Sequence, residues 1–190
     1  MNLPNTLTLS RIFLVPLLVV VLLTKFAGQN VLGIDKDLVA AGIFAFASAT
    51  DWLDGFLARR RKQITPLGQM MDPLADKLLT SAAFISLVQM GVAPAWMVAV
   101  IIGRELAITA IRSIAYSRGQ SIPASPLGKV KMIAEVVAIL AMILGRPRLG
   151  RLAVLGPLAL WVAVVAAVVS AFDYYRRFMR GAGGGAAVSS

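Results

Sequence analysis

Cysteine and histidine are both absent from the 190 residues. Their absence removes disulfides, thiol nucleophiles, imidazole bases and the usual zinc ligand sets together. Any metal chemistry in this chain has to use oxygen ligands. Acids are scarce as well: 9 Asp and Glu stand against 19 Lys and Arg, a net charge of +10, and charged residues make up only 15%. With 58% hydrophobic residues and a mean hydropathy of +0.81, the composition excludes an ordinary soluble domain. In a polar chain the basic excess would point to nucleic acid. In one this apolar it marks loops flanking membrane spans, and no nucleic-acid partner is expected.

What the chain has in plenty is long apolar runs. Six are long enough to be read as helices crossing a membrane: Leu7 to Leu23, Leu38 to Leu57, Leu74 to Met90, Ala95 to Ala115, Val130 to Leu144 and Leu152 to Phe172. The expected fold is therefore all-α, an integral membrane bundle of six transmembrane helices. The fifth run is the shortest and carries Glu135. The first does not read as a cleavable signal peptide, because no small-x-small site follows its apolar stretch before Lys25. Residues 1–180 read as one membrane domain and 181–190 as a disordered Gly/Ala/Ser tail.

Orientation follows from the basic residues. With the amino terminus inside, 12 of the 19 Lys and Arg fall on the cytoplasmic side, among them Arg59 to Lys62, Arg112, Arg118, Lys129 and Lys131. Five fall outside: Lys25, Lys36, Arg146, Arg148 and Arg151. Both termini are expected in the cytoplasm of a multi-pass cell-membrane protein, with three outer arginines as a local exception whose role the sequence leaves open.

Four of the seven aspartates, Asp51, Asp54, Asp72 and Asp76, crowd into 26 residues at the end of the second run and the start of the third. Left unpaired at mid-membrane they would cost roughly 10 kcal/mol, less near the interface. Asp51 and Asp54 are i,i+3 and Asp72 and Asp76 are i,i+4, so each pair shares a helix face and two such faces can oppose each other. Facing pairs of carboxylates make a hard, oxygen-only site suited to Mg2+ or Mn2+, as one ion or two. The plainer alternative is that the acids snorkel to the interface and pair with Arg59 to Lys62. Gly55 and Ala58 lie one turn on, where small side chains admit a bulky ligand or merely pack a helix. Arg59 adds a planar donor suited to phosphate.

Together these residues spell Asp51-x2-Asp54-Gly55-x2-Ala58-Arg59-x8-Gly68-x3-Asp72-x3-Asp76. The string resembles, position for position, the signature of the CDP-alcohol phosphatidyltransferase family. The resemblance implies a six-helix membrane bundle, usually a homodimer, that moves the phosphatidyl group of CDP-diacylglycerol to an alcohol and releases CMP. It implies that Asp51, Asp54, Asp72 and Asp76 hold a metal pair, with Asp76 also the base for the attacking hydroxyl. Gly55, Ala58, Arg59 and Thr65 would lie against the nucleotide and its pyrophosphate. The chemistry is consistent: a pyrophosphate ester must be neutralised before a hydroxyl can attack, and a neighbouring carboxylate can take the proton.

The acceptor is read elsewhere. Arg104 sits deep in an apolar run, with Glu105 as its one local charge, expected on a different helical face. Arg112 is eight residues on, within about 80° of the face of Arg104. With Lys129 the two can converge on a phosphate dianion, although Arg112, Arg118, Lys129 and Lys131 also read as flanking charges. A phosphorylated acceptor fits better than a neutral one. Residues 2–11, 72–79, 103–112 and 128–131 further resemble the branch of the family whose acceptor is sn-glycerol 3-phosphate and whose product is phosphatidylglycerol phosphate. By position, Arg104, Arg112 and Lys129 would bind the acceptor phosphate and Asn5 and Thr8 would lie near the nucleotide. Met132 departs from that branch, which often has Thr there. The active site is expected to face the cytoplasm.

Rival readings remain at this stage. The same chemistry can serve inositol phosphate, serine or a second phosphatidylglycerol. From another class, intramembrane aspartates can line a divalent-cation channel or carrier, although an arginine beside the path would repel the ion. A membrane adaptor recruited by its basic loops would need no carboxylates.

Overall fold

The computed structural model describes residues 3–24, 30–31, 33–61, 66–117 and 126–184, and the side chains of 12–24, 31, 33–50, 77–115, 127–145 and 147–176. The chain folds as α1 (Leu3–Leu23), a two-residue-per-strand hairpin of β1 (Asn30–Val31) and β2 (Ile34–Asp35), α2 (Lys36–Arg61), α3 (Pro66–Gln89), α4 (Ala95–Ser117), α5 (Pro126–Leu149) and α6 (Leu155–Gly184). The six apolar runs lie in these six helices, apart from Met90 in the turn after α3 and Leu152–Val154 in a 3-10 turn before α6. The described residues are thus almost wholly helical. Gly68 is expected in a turn ahead of the third helix; it stands instead inside α3, which starts at Pro66 because a proline is well placed in a first helical turn. At the other end, α6 continues to Gly184, four residues into the Gly/Ala/Ser segment.

Helix ends follow the local chemistry. α3 closes in a Schellman motif: Gly91, at φ +73°, donates its N–H to Val88 O and Val92 donates to Leu87 O, each at 2.9 Å. Gly145, at φ +57°, kinks α5 just ahead of Pro147; helix resumes to Leu149 and passes into a 3-10 turn over residues 150–154.

The bundle core gathers Leu18 and Leu22 of α1, Phe44 of α2, Leu79, Phe84 and Leu87 of α3, Ile139 of α5 and Leu160 of α6. Alanines at 40, 47, 83, 138 and 163 let the helices approach closely between these large side chains. The α5–α6 pair makes the most extensive contact, and Gly156 is so close to α5 that an added Cβ would stand 3.0 Å from Met142 Cγ. α1 packs on α3 and α2, α4 on α6, and α2 on α5.

All six helices also expose large apolar side chains, among them Phe13, Phe46, Ile85, Leu106, Ile133, Val165 and Phe172. Within the described residues, one segment, Pro147–Arg176, is long and apolar enough to cross a membrane, with a mean hydropathy of 2.6.

The end of the bundle that carries the hairpin accounts for one of the three arginines between 146 and 151. Arg148 donates through Nη2 to Asp35 Oδ2 at 2.7 Å, tying β2 to the end of α5. Asp37 N–H donates to Asp35 Oδ1 as well. The Arg148 hydrogen bond, helped by that backbone N–H, holds the Asp35 carboxyl below its ordinary value of 3.8. Trp96 and Trp161 meet edge to face at 5.6 Å, joining α4 to α6 near the same end. A group whose pKa is depressed on folding stabilises above its unfolded value, and loses that contribution as pH falls through the folded one. Arg148→Ala should therefore lower the thermal midpoint slightly at pH 7. The difference from wild type should shrink as pH drops below about 3.8 and be absent once Asp35 is protonated; a pH-independent difference would show that the pair contributes nothing.

Candidate active site

The carboxylate string is carried by two neighbouring helices. Asp51, Asp54, Gly55, Ala58 and Arg59 lie in the last turns of α2, and Asp72 and Asp76 lie in the first half of α3, with α2 and α3 in contact. Asn5 and Thr8 lie near the start of α1, which packs against both. The side chains of these nine residues, and Thr65 altogether, lie outside the described residues. Among the described residues no three acidic groups cluster as a metal site. Asp51, Asp54, Asp72 and Asp76 offer only oxygen donors, the hard character that Mg2+ or Mn2+ prefers.

Arg104, Arg112 and Lys129 do come together. They line one cavity of about 260 Å³ between α3, α4, α5 and α6, with Lys77, Lys131, Glu105, Glu135 and Tyr174 in the same wall. Five cations against two acids leave the lining at +3. Lys77 immediately follows Asp76 in α3, so the cavity adjoins the turn that carries the carboxylates.

Glu105 is at the centre. Contrary to the expectation that it points away from Arg104, its Oε1 accepts from Arg104 Nη1 at 2.5 Å and from Lys131 Nζ at 2.6 Å, and Lys77 Nζ stands 4.0 Å from Oε2. Consecutive residues differ by about 100° around a helix, but arginine is long enough to curl back when the alternative is a buried charge without a partner. Arg104 Nη2 then donates to Ser170 Oγ of α6 at 2.7 Å. Lys131, buried, also pairs with Glu135 at 2.9 Å, one turn along α5. The acid in the fifth run is thus charge-compensated within its own helix. Lys77 further donates to Thr109 Oγ1.

Arg112 is placed differently. Its guanidinium lies 6.0 Å from the centroid of the Tyr174 ring, at the exposed edge of the cavity. Glu105 engages Nη1 of Arg104 and Nζ of Lys131; Arg112 and Lys129 are the exposed cations of the lining.

The CDP-alcohol phosphatidyltransferase family model matches residues 1–170. The chain belongs to the CDP-alcohol phosphatidyltransferase family. It is 43% identical over 182 residues, 93% of its length and 94% of the relative's, to the CDP-diacylglycerol--glycerol-3-phosphate 3-phosphatidyltransferase of Bacillus subtilis strain 168. Relatives of the same name match at 34% identity in Pseudomonas fluorescens, over 93% of this chain and 89% of the relative, and at 41% in Salmonella choleraesuis, over 78% and 79%.

For this member of the family, sequence reasoning passed over Tyr174 and the pairing roles of Lys77, Lys131 and Glu105. Spacing held a signal for one of them: Ser170 and Tyr174 are i,i+4 and share the face of α6 that meets Arg104. Glu105→Gln should leave Arg104 without its counter-charge and Lys131 with Glu135 alone, and cost about 3 kcal/mol of stability, read as a lower thermal midpoint in detergent. Leu106→Ala, on the exposed side of the same helix turn, should change it little; equal midpoints for Glu105→Gln and wild type would mean the carboxylate holds nothing together.

Proposed function

We propose that the protein transfers the phosphatidyl group of CDP-diacylglycerol to sn-glycerol 3-phosphate, giving phosphatidylglycerol phosphate and CMP. The observation that carries this reading is the cationic cavity beside the carboxylate helices, a receptacle for a phosphorylated acceptor, in a chain whose similar relatives are named for glycerol 3-phosphate. Serine, whose one carboxylate carries a single negative charge, matches the +3 lining less well than a phosphate dianion.

In the proposed reaction a hydroxyl of glycerol 3-phosphate attacks the phosphorus next to diacylglycerol. The bond from that phosphorus to the bridging oxygen breaks, and CMP leaves with the electron pair. Asp76 takes the hydroxyl proton. Arg112 and Lys129 hold the acceptor phosphate, Arg104 is braced by Glu105 and Ser170 on the same wall, and Gly55, Ala58, Arg59, Thr65, Asn5 and Thr8 flank the nucleotide. Asp51, Asp54, Asp72 and Asp76 would hold one or two Mg2+ or Mn2+ ions, which when bound neutralise the pyrophosphate and the departing CMP.

The setting is a cell membrane. Apolar side chains exposed on all six helices support a lipid-facing surface on each, and the excess of basic residues around the α2–α3 and α4–α5 connections supports cytoplasmic termini and a cytoplasmic active site. Residues 1–180 form the catalytic domain in this reading, which acts as a homodimer.

Purified protein should release CMP from CDP-diacylglycerol only with both a divalent cation and glycerol 3-phosphate present. Asp76→Asn should lower the rate by about 10²-fold or more. In a panel of glycerol 3-phosphate, inositol phosphate, serine and phosphatidylglycerol, preference for any acceptor but the first would overturn the assignment, and release that survives chelation would overturn the metal. Arg112→Ala should raise the KM for glycerol 3-phosphate and leave that for CDP-diacylglycerol unchanged.

A further inference from the structure

Two donors in the cationic cavity have no acceptor. The hydroxyl of Tyr174 and the Nε of Arg104 are buried, and neither meets a hydrogen-bond partner. Both residues line the cavity. Buried polar groups in folded proteins are nearly always paired, and leaving one unpaired is unfavourable. The carboxylates of the cavity are drawn to its own cations: Glu105 accepts from Arg104 and Lys131, and Glu135 Oε1, a third buried atom short of hydrogen bonds, is ion-paired with Lys131 at 2.9 Å.

Tyr174 and Arg104 Nε both have a proton to donate, Glu135 is held by Lys131, and the neighbouring Arg112 and Lys129 carry positive charge. The complement to that set is an anion whose oxygens only accept. A phosphate ester has that character, with three terminal oxygens and several lone pairs each. Tyr174 has a second connection to such a ligand, because its ring underlies the Arg112 guanidinium at 6.0 Å and keeps it at the cavity edge. The fold also holds Tyr174 in place: it is only 3% exposed, and Ser170, one turn earlier on α6, is hydrogen-bonded to Arg104.

We propose that Tyr174 is a binding residue of the acceptor site, donating its hydroxyl to the phosphate of the acceptor together with Arg104 Nε, while its ring positions Arg112. This rests on the reading of the cavity as the acceptor site and adds to it a residue from α6. A neutral phenol beside the cations contributes direction without adding charge, so it favours a phosphate presented in one orientation over anions in general.

The test is Tyr174→Phe in the full-length protein, which removes the hydroxyl and retains the ring. The hydroxyl has no protein partner, so the thermal midpoint of the ligand-free variant should equal that of wild type. Inorganic phosphate should raise the wild-type midpoint and raise that of the variant less. In turnover the KM for glycerol 3-phosphate should rise by about ten-fold, the effect of losing one hydrogen bond to a charged group, with the KM for CDP-diacylglycerol unchanged. Equal protection by phosphate in both proteins, no protection of wild type, or a variant that is destabilised or unfolded without ligand would each overturn the proposal, the last because the hydroxyl would then be structural. If wild type uses a different acceptor, the reading of the reaction fails, and the inorganic phosphate comparison still decides the role of Tyr174.

Discussion

The bundle depends on one carboxylate. Glu105 accepts from Arg104 beside it on α4 and from Lys131 on α5, and it stands within reach of Lys77 on α3; through Arg104 it is linked to Ser170 on α6. Four helices are thereby joined around a charge that none of them could bury alone. In an apolar setting an ion of either sign is tolerated only with its counter-ion and its hydrogen bonds in place. That constraint decides which cations are tied into pairs and which stay exposed at the cavity edge.

The division explains how a cavity can be strongly basic and still be well defined. If all five cations faced the opening, their mutual repulsion would splay the helix ends. Glu105 and Glu135 absorb Lys131 and most of Arg104, and Arg112 rests on the ring of Tyr174. A binding site with pre-oriented cations loses less conformational freedom when its anion arrives. The opposite end of the bundle repeats the logic at the surface, where Arg148 pairs with Asp35 and ties the hairpin to α5.

The placement of the cavity relative to the carboxylate helices follows from the chain path. α3 carries Asp72 and Asp76 and, in the next position, Lys77, which belongs to the cavity wall. A donor lipid held at the carboxylates and an acceptor held by the cations would meet along that one helix. The small side chains of the core, alanines on α2, α3, α5 and α6, let the helices close to the spacing this requires.

The linear order of residues determined the six helices, because apolar runs of that length have few other ways to satisfy their backbone groups. It also determined the family, since the aspartates, glycine, alanine and arginine keep fixed offsets that helical periodicity turns into shared faces. The convergence of Arg104, Arg112 and Lys129 was legible in part: helical phase relates the first two on α4, but nothing in the order of residues relates α4 to α5. The partners of Glu105 and Lys131, the cation–π contact of Arg112 with Tyr174 and the two donors without acceptors were decided by the tertiary structure alone. They depend on side chains from helices far apart in sequence, here up to 66 positions between Arg104 and Ser170, and local periodicity carries no information about which of those faces meet.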